Sequence, residues 1–95
     1  MIRVSVYYPA GEGSTFDLDY YKVKHREIVM RVLGCDKFEI DKAVSGPNMA
    51  VGHLYFSSME ALQQGMGNPD AAEAQTDVAN FTNVQPLIQI GELVD

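Results

Sequence analysis

At 95 residues, the chain is long enough for one globular domain but only a thin core, since domains this small bury roughly two-thirds of the surface their unfolded chain exposes. Thirteen acidic against seven basic residues give a net charge of -6, and the basic side chains form no run, which excludes the concentrated basic face of a nucleic-acid-binding protein. The single cysteine, Cys35, allows no intrachain disulfide, no apolar run approaches the ~20 residues of a membrane span, and no leader pattern opens the chain, so a cytoplasmic protein without membrane or nucleic-acid partners is expected.

Ile2, Val4, Val6 and Tyr8 alternate with Arg3, Ser5 and Tyr7, the period of a half-buried strand, and Pro9, Gly11 and Gly13 end it. Asp17 can then accept the free N–H groups of a first helical turn, with Phe16 and Tyr21 at the two positions that close a hydrophobic staple. The helix is predicted from about Leu18 to Leu33, with Gly34 as its cap. At about 100° per residue, Leu18, Tyr21, His25, Ile28, Val29, Val32 and Leu33 collect on one side, with Lys24, Glu27 and Arg31 opposite. His25 therefore points inward, the one candidate for acid–base chemistry near neutral pH.

A second strand is predicted over Lys37 to Val44, a turn at Ser45-Gly46-Pro47-Asn48, and a third strand over Met49 to Phe56. Ser57 and Glu60 supply a capping box for a helix from near Ser58, which Gly65, Gly67, Asn68 and Pro69 stop. Asn68 as cap and Pro69 in the first turn start another short helix through Ala71, Ala72, Ala74 and Val78. Asn80 to Asn83 form a loop, and Val84 to Val94 the last strand, with Pro86 near its beginning. The order βαββαβ, with both helices on one side of an antiparallel sheet, gives the α+β class and a ferredoxin-like arrangement in one domain over residues 1–95.

Such a sheet has a second face. If the helices cover Val4, Val6, Leu54 and Phe56, then Arg3, Ser5, Tyr7, Val51, His53 and Tyr55 point the other way. A patch holding Tyr7, Val51 and Tyr55 is best buried against its own copy, which predicts a homodimer whose two sheets face each other in a closed or nearly closed barrel.

Phe16-Asp17-Leu18-Asp19-Tyr20-Tyr21 with His25 four residues on, Gly52-His53-Leu54-Tyr55-Phe56, and Asn80-Phe81-Thr82-Asn83 with Pro86 before Ile88-Gln89-Ile90 together resemble the EthD family over nearly the whole chain. The resemblance implies a ferredoxin-like protomer of the dimeric α+β barrel superfamily. That superfamily includes cofactor-free oxygenases, isomerases and cyclases acting on aromatic or polyketide-like molecules, together with haem enzymes. Where EthD-like sequences commonly carry a proline two residues beyond the histidine, this chain has Arg26-Glu27.

The resemblance implies a ligand between sheet and helices, with His25 as general acid or base and Tyr21, one turn before it, as hydrogen-bond donor. A buried histidine bonded to protein alone fits the same stripe. Phe81 and Asn83 are the candidate ligand-binding residues, although Phe81 also suits a core plug and Asn83 a turn cap. No cofactor and no metal is expected: His53 and Tyr55 share a face without further ligands at a recognised spacing, and no haem attachment motif accompanies His25. Asp17 and Asp19 are explained by the helix dipole, and Cys35 by packing. The expected function is to bind, and without a cofactor to transform, a small apolar organic molecule in catabolism or biosynthesis. The alternative is a non-catalytic binding or accessory protein beside an oxygenase.

Overall fold

The computed structural model describes residues 1–94; Asp95, the last residue of the expected domain, lies outside them. Strand β1 is Ile2–Pro9, β2 Lys37–Lys42, β3 Asn48–Phe56 and β4 Leu87–Glu92, in a sheet ordered β2-β3-β1-β4 with every neighbouring pair antiparallel. This is the expected ferredoxin-like sheet, with both outer strands shorter than their sequence patterns. Val44 is fully exposed beyond β2, and β4 begins only after Pro86, which has no N–H to give a ladder.

The register sets the two faces. Ile2 lies opposite Phe56 and Val4 opposite Leu54, and these side chains with Tyr8, Phe38 and Ala50 form the buried side under the helices. Arg3 opposite Tyr55, Ser5 opposite His53 and Tyr7 opposite Val51 occupy the other face, as the alternation requires. That face is more polar than its composition suggested. Ser5 Oγ lies 3.1 Å from His53 Nδ1, His53 Nε2 lies 2.9 Å from Asp41, and the Tyr55 hydroxyl donates to Glu39 at 2.8 Å.

The first helix, α1, runs in three segments: an α-turn over Leu18–Tyr20, a π-turn over Tyr21–His25, and a regular α-helix over Arg26–Leu33. Asp17 caps it by accepting from Tyr20 N at 3.1 Å, and the Phe16 and Tyr21 rings meet at 5.0 Å, closing the staple. Gly34 ends it at φ 67, a left-handed conformation that suits glycine. The π-turn corrects the sequence reading, which treated the segment as one α-helix. The Arg26 N–H bonds back to the Tyr21 carbonyl, five residues away, and the hydrophobic period alone does not register the wider turn.

Helix α2 spans Met59–Met66, and its cap is Ser58, whose Oγ accepts from Ala61 N at 3.1 Å. The box expected from Ser57 and Glu60 does not form, because the helix starts one residue later and puts Glu60 inside its first turn. Gly65, read as a stop, lies within α2, where a Cβ would run into the Leu33 carbonyl; the glycine lets α2 approach the end of α1. Asn68 and Pro69 then open a 3-10 turn, Pro69–Ala71, leading into α3, Ala72–Asp77, which ends in a second 3-10 turn, Val78–Asn80.

Candidate functional site

The inward side of α1 delivers Tyr21 and His25 to an aromatic cluster. Tyr21 is 1% exposed and His25 4%, and their rings stack with centroids 5.2 Å apart and an interplanar angle of 17°. Phe81, arriving from the chain after α3, sits at the centre, 4.5 Å from the His25 ring, 4.9 Å from Tyr21, 5.4 Å from Phe16 and 5.6 Å from Tyr8. Backbone pairing fixes this meeting: Asp17 N donates to the Phe81 carbonyl at 2.7 Å, and Phe16 bridges Thr82.

His25 Nδ1 lies 2.8 Å from Asp77 Oδ2, and both side chains are 6% exposed. Asp77 closes α3. Its other oxygen, Oδ1, accepts from the Tyr20 hydroxyl at 2.6 Å and from Asn80 Nδ2 at 3.0 Å. Burial pushes the Asp77 pKa up, but the bonds from Tyr20, Asn80 and His25 outweigh it and hold the carboxyl below its ordinary range. Burial moves His25 the other way, below the usual imidazole value, against the opposing bond from Asp77. At neutral pH the pair is therefore a carboxylate beside a neutral imidazole. The carboxylate holds the proton on Nδ1 and leaves the Nε2 lone pair free. Among the described residues no hydrogen bond engages Nε2.

The Tyr21 hydroxyl abuts β3 at Gly52, where a Cβ would collide with it. Burial keeps this phenol protonated and raises the Tyr8 pKa to about 12, so both rings are neutral at any working pH. Two solvent-open grooves flank the cluster. One, of about 380 Å³, is lined by Thr15, Phe16, Asp17 and residues 79–83; the other, of about 500 Å³, runs between α1 and α3 past Tyr20, Lys24, Ile28 and Glu73. His25 lines neither groove. It meets the first through Phe81, and Tyr20 links its carboxylate partner to the second.

No family model matches this chain. A solved EthD-like protein of Ralstonia eutropha JMP134 superposes on 99% of this chain and 92% of its own with a TM-score of 0.88 and 33% identity. The chain belongs to the EthD family. An EthD family protein of Bacillus halodurans C-125 shares the fold at a TM-score of 0.78 and 19% identity, over 99% of each chain. An uncharacterized 11.0 kDa protein of Rhodococcus erythropolis is 32% identical over 87% of this chain and 85% of its own.

In this EthD-family protein, Tyr21, His25 and Phe81 come together, and Asn83 lines the first groove with Phe81, outside the aromatic cluster. Its Oδ1 accepts from Thr15 N at 2.9 Å and its Nδ2 donates to the Gly13 carbonyl at 2.8 Å, so both ends of the amide clamp the loop before α1. Sequence reasoning missed Asp77 and Tyr20. A signal for Asp77 existed: it follows Ala74 by three residues and precedes Phe81 by four, which places a carboxylate in the inward stripe of the short helix. Among the described residues no group of three or more His, Cys, Asp or Glu could hold a metal ion, and no helix is long and apolar enough to cross a membrane.

Proposed function

We propose that this EthD-family protein binds a small, largely apolar organic molecule, aromatic or polyketide-like, and moves a proton on it with His25 as the acid–base group. The observation that carries this reading is the Asp77–His25 pair: a 2.8 Å contact inside an aromatic cluster, with the imidazole neutral and Nε2 unengaged. A neutral imidazole whose orientation is held by a carboxylate is the form a general base needs at pH 7. Asp77 acts here as a positioning residue, and Tyr20 and Asn80 keep it ionised. Phe81 and Tyr21 would shield the transfer from water. Isomerisation, cyclisation and cofactor-free oxygenation each begin by removing a proton from an activated carbon or phenol, the step a neutral imidazole can take, whereas a decarboxylation would use the imidazolium to return a proton to the carbanion left when CO2 departs.

The test is turnover of a panel of phenols and polyketide-like compounds by the wild type and by His25→Asn. The variant should fold and still bind, but lose about 10²–10⁴-fold in rate, the usual contribution of a general base. Equal rates would overturn the acid–base role. A second reading, a non-catalytic binding or accessory protein working beside an oxygenase, is favoured by the 4% exposure of His25 and its absence from both grooves. It predicts binding without turnover in both proteins.

The working unit in this reading is a homodimer closed through the open sheet face. Leu87 and Ile88, each 62% exposed, and Ile90 are large aliphatic side chains on the edge strand β4, distributed over both of its sides, and Tyr7 and Val51 add to the patch. A second copy laid across the open face would cover Leu87, Tyr7 and Val51, while Ile88 and Ile90, in register with Val6 and Val4, lie on the helix side.

A further inference from the structure

Arg26 follows His25 but faces a different part of the layer between α1 and the sheet. Its guanidinium carbon lies 5.7 Å above the Phe38 ring, on β2. Phe38 in turn meets the Tyr21 ring edge-on at 5.8 Å, and the Phe38 Cζ and Tyr21 hydroxyl both press on Gly52. A cation, a flat apolar face and a protonated phenol are thus gathered at the β2 end of the cluster, and the positive charge of Arg26 reaches the Tyr21 hydroxyl.

The cation is unanswered. Arg26 takes part in none of the ion pairs among the described residues, whereas Arg31, further along the same helix, is held by Glu27 and Glu73. Arg26 Nε is fully buried and has no hydrogen-bond partner, the only such side-chain atom among them. Leaving a charged donor buried and unpaired is unfavourable, and an orphan of this kind calls for an acceptor that the protein itself does not supply. The residue as a whole is only half-buried, and Nε with one Nη forms a planar donor fork. A carboxylate matches that fork with two parallel bonds.

We propose that Arg26 is a binding residue for the carboxylate of the ligand, so that the molecule taken up by this protein is an organic acid. This inference rests on the reading that the layer between sheet and helices receives a small molecule, and it adds the anionic group that reading leaves open.

Benzoate, with benzyl alcohol as its uncharged counterpart, is the probe. Titration followed by calorimetry, and by the NMR signal of the Arg26 Nε–H, should show wild type preferring benzoate by about tenfold or more, the scale of one charge-assisted pair. The Nε–H signal should move on addition of benzoate. Arg26→Gln should abolish the preference, and Arg26→Lys, which keeps the charge without the fork, should retain part of it. Equal affinity for the two probes, or benzoate binding undiminished in Arg26→Gln, would overturn the carboxylate assignment while leaving the binding reading intact. Binding of neither probe would overturn both. A change in subunit association in Arg26→Gln with benzoate affinity unchanged would give Arg26 to a protein partner instead.

Discussion

Two histidines in this chain each face an aspartate at nearly the same distance, His25 with Asp77 at 2.8 Å and His53 with Asp41 at 2.9 Å. Their surroundings separate them. Asp77 is 6% exposed at its side chain and carries two further hydrogen bonds, whereas Asp41 is 65% exposed and lies on the open sheet face with His53 as its partner. The same pair is desolvated in the aromatic cluster by the protomer's own fold, and on the open face of a single protomer it is a solvent-screened contact. The distance between two groups therefore carries little meaning until burial and the remaining bonds are known.

The widest difference should appear when each carboxylate is removed. Asp77→Ala leaves the Tyr20 hydroxyl, Asn80 Nδ2 and His25 Nδ1 without their acceptor and should cost about 3 kcal/mol or more, read as a lowered urea midpoint. Asp41→Ala should cost the isolated protomer under about 1 kcal/mol. Equal losses would break the comparison.

Acid sharpens the same contrast. The folded state holds His25 below its ordinary 6.5 and Asp77 below its ordinary 3.8. Each therefore stabilises the fold fully above its unfolded value and loses that contribution as pH falls through the folded one. Stability should decline first below about pH 6.5 and again below about pH 3.8. Asp77→Ala should flatten the lower step, and a wild-type stability unchanged between pH 7 and 5 would contradict the burial of a neutral His25.

Tyr55→Glu tests the open face as an interface. The new carboxylate would stand against Glu39, the present partner of the Tyr55 hydroxyl, and inside the proposed dimer it would be buried without a cation of its own. Light scattering should find monomer or aggregate. A dimer of unchanged affinity would exclude this face. The smallest effect is expected from Asp17→Ala, which removes one capping acceptor and should cost ~1 kcal/mol with ligand binding retained. Loss of binding at an unchanged melting temperature would give Asp17 a role at the groove it lines.

What local chemistry could specify was legible. The staple of Phe16 and Tyr21, the Asp17 and Asn68 caps, the Gly34 stop and the two sheet faces follow from nearest neighbours and from periods of two and 3.6 residues, and all are present. The inward turn of His25 followed for the same reason. Where neighbouring signals competed, the sequence was ambiguous. Ser57 and Ser58 are both good caps, and only the start of α2 against the sheet selects Ser58. Asn83 lines the first groove, and its amide also clamps a loop 70 residues away in sequence, a contact no local pattern contains.

By itself, then, the sequence determined the order of the elements and the faces of each, because those depend on contacts a few residues apart and on patterns that repeat along one element, while the family followed from the resemblance of its motifs. Tertiary structure alone decided the site. Asp77 meets His25 across 52 residues, Tyr21 settles against Gly52 of a distant strand, and Arg26 is left without a carboxylate; each outcome depends on how α1, α3 and the sheet pack. Burial converts those meetings into chemistry by desolvating the imidazole and sealing the guanidinium nitrogen, and burial is a property of the whole fold that no local pattern contains.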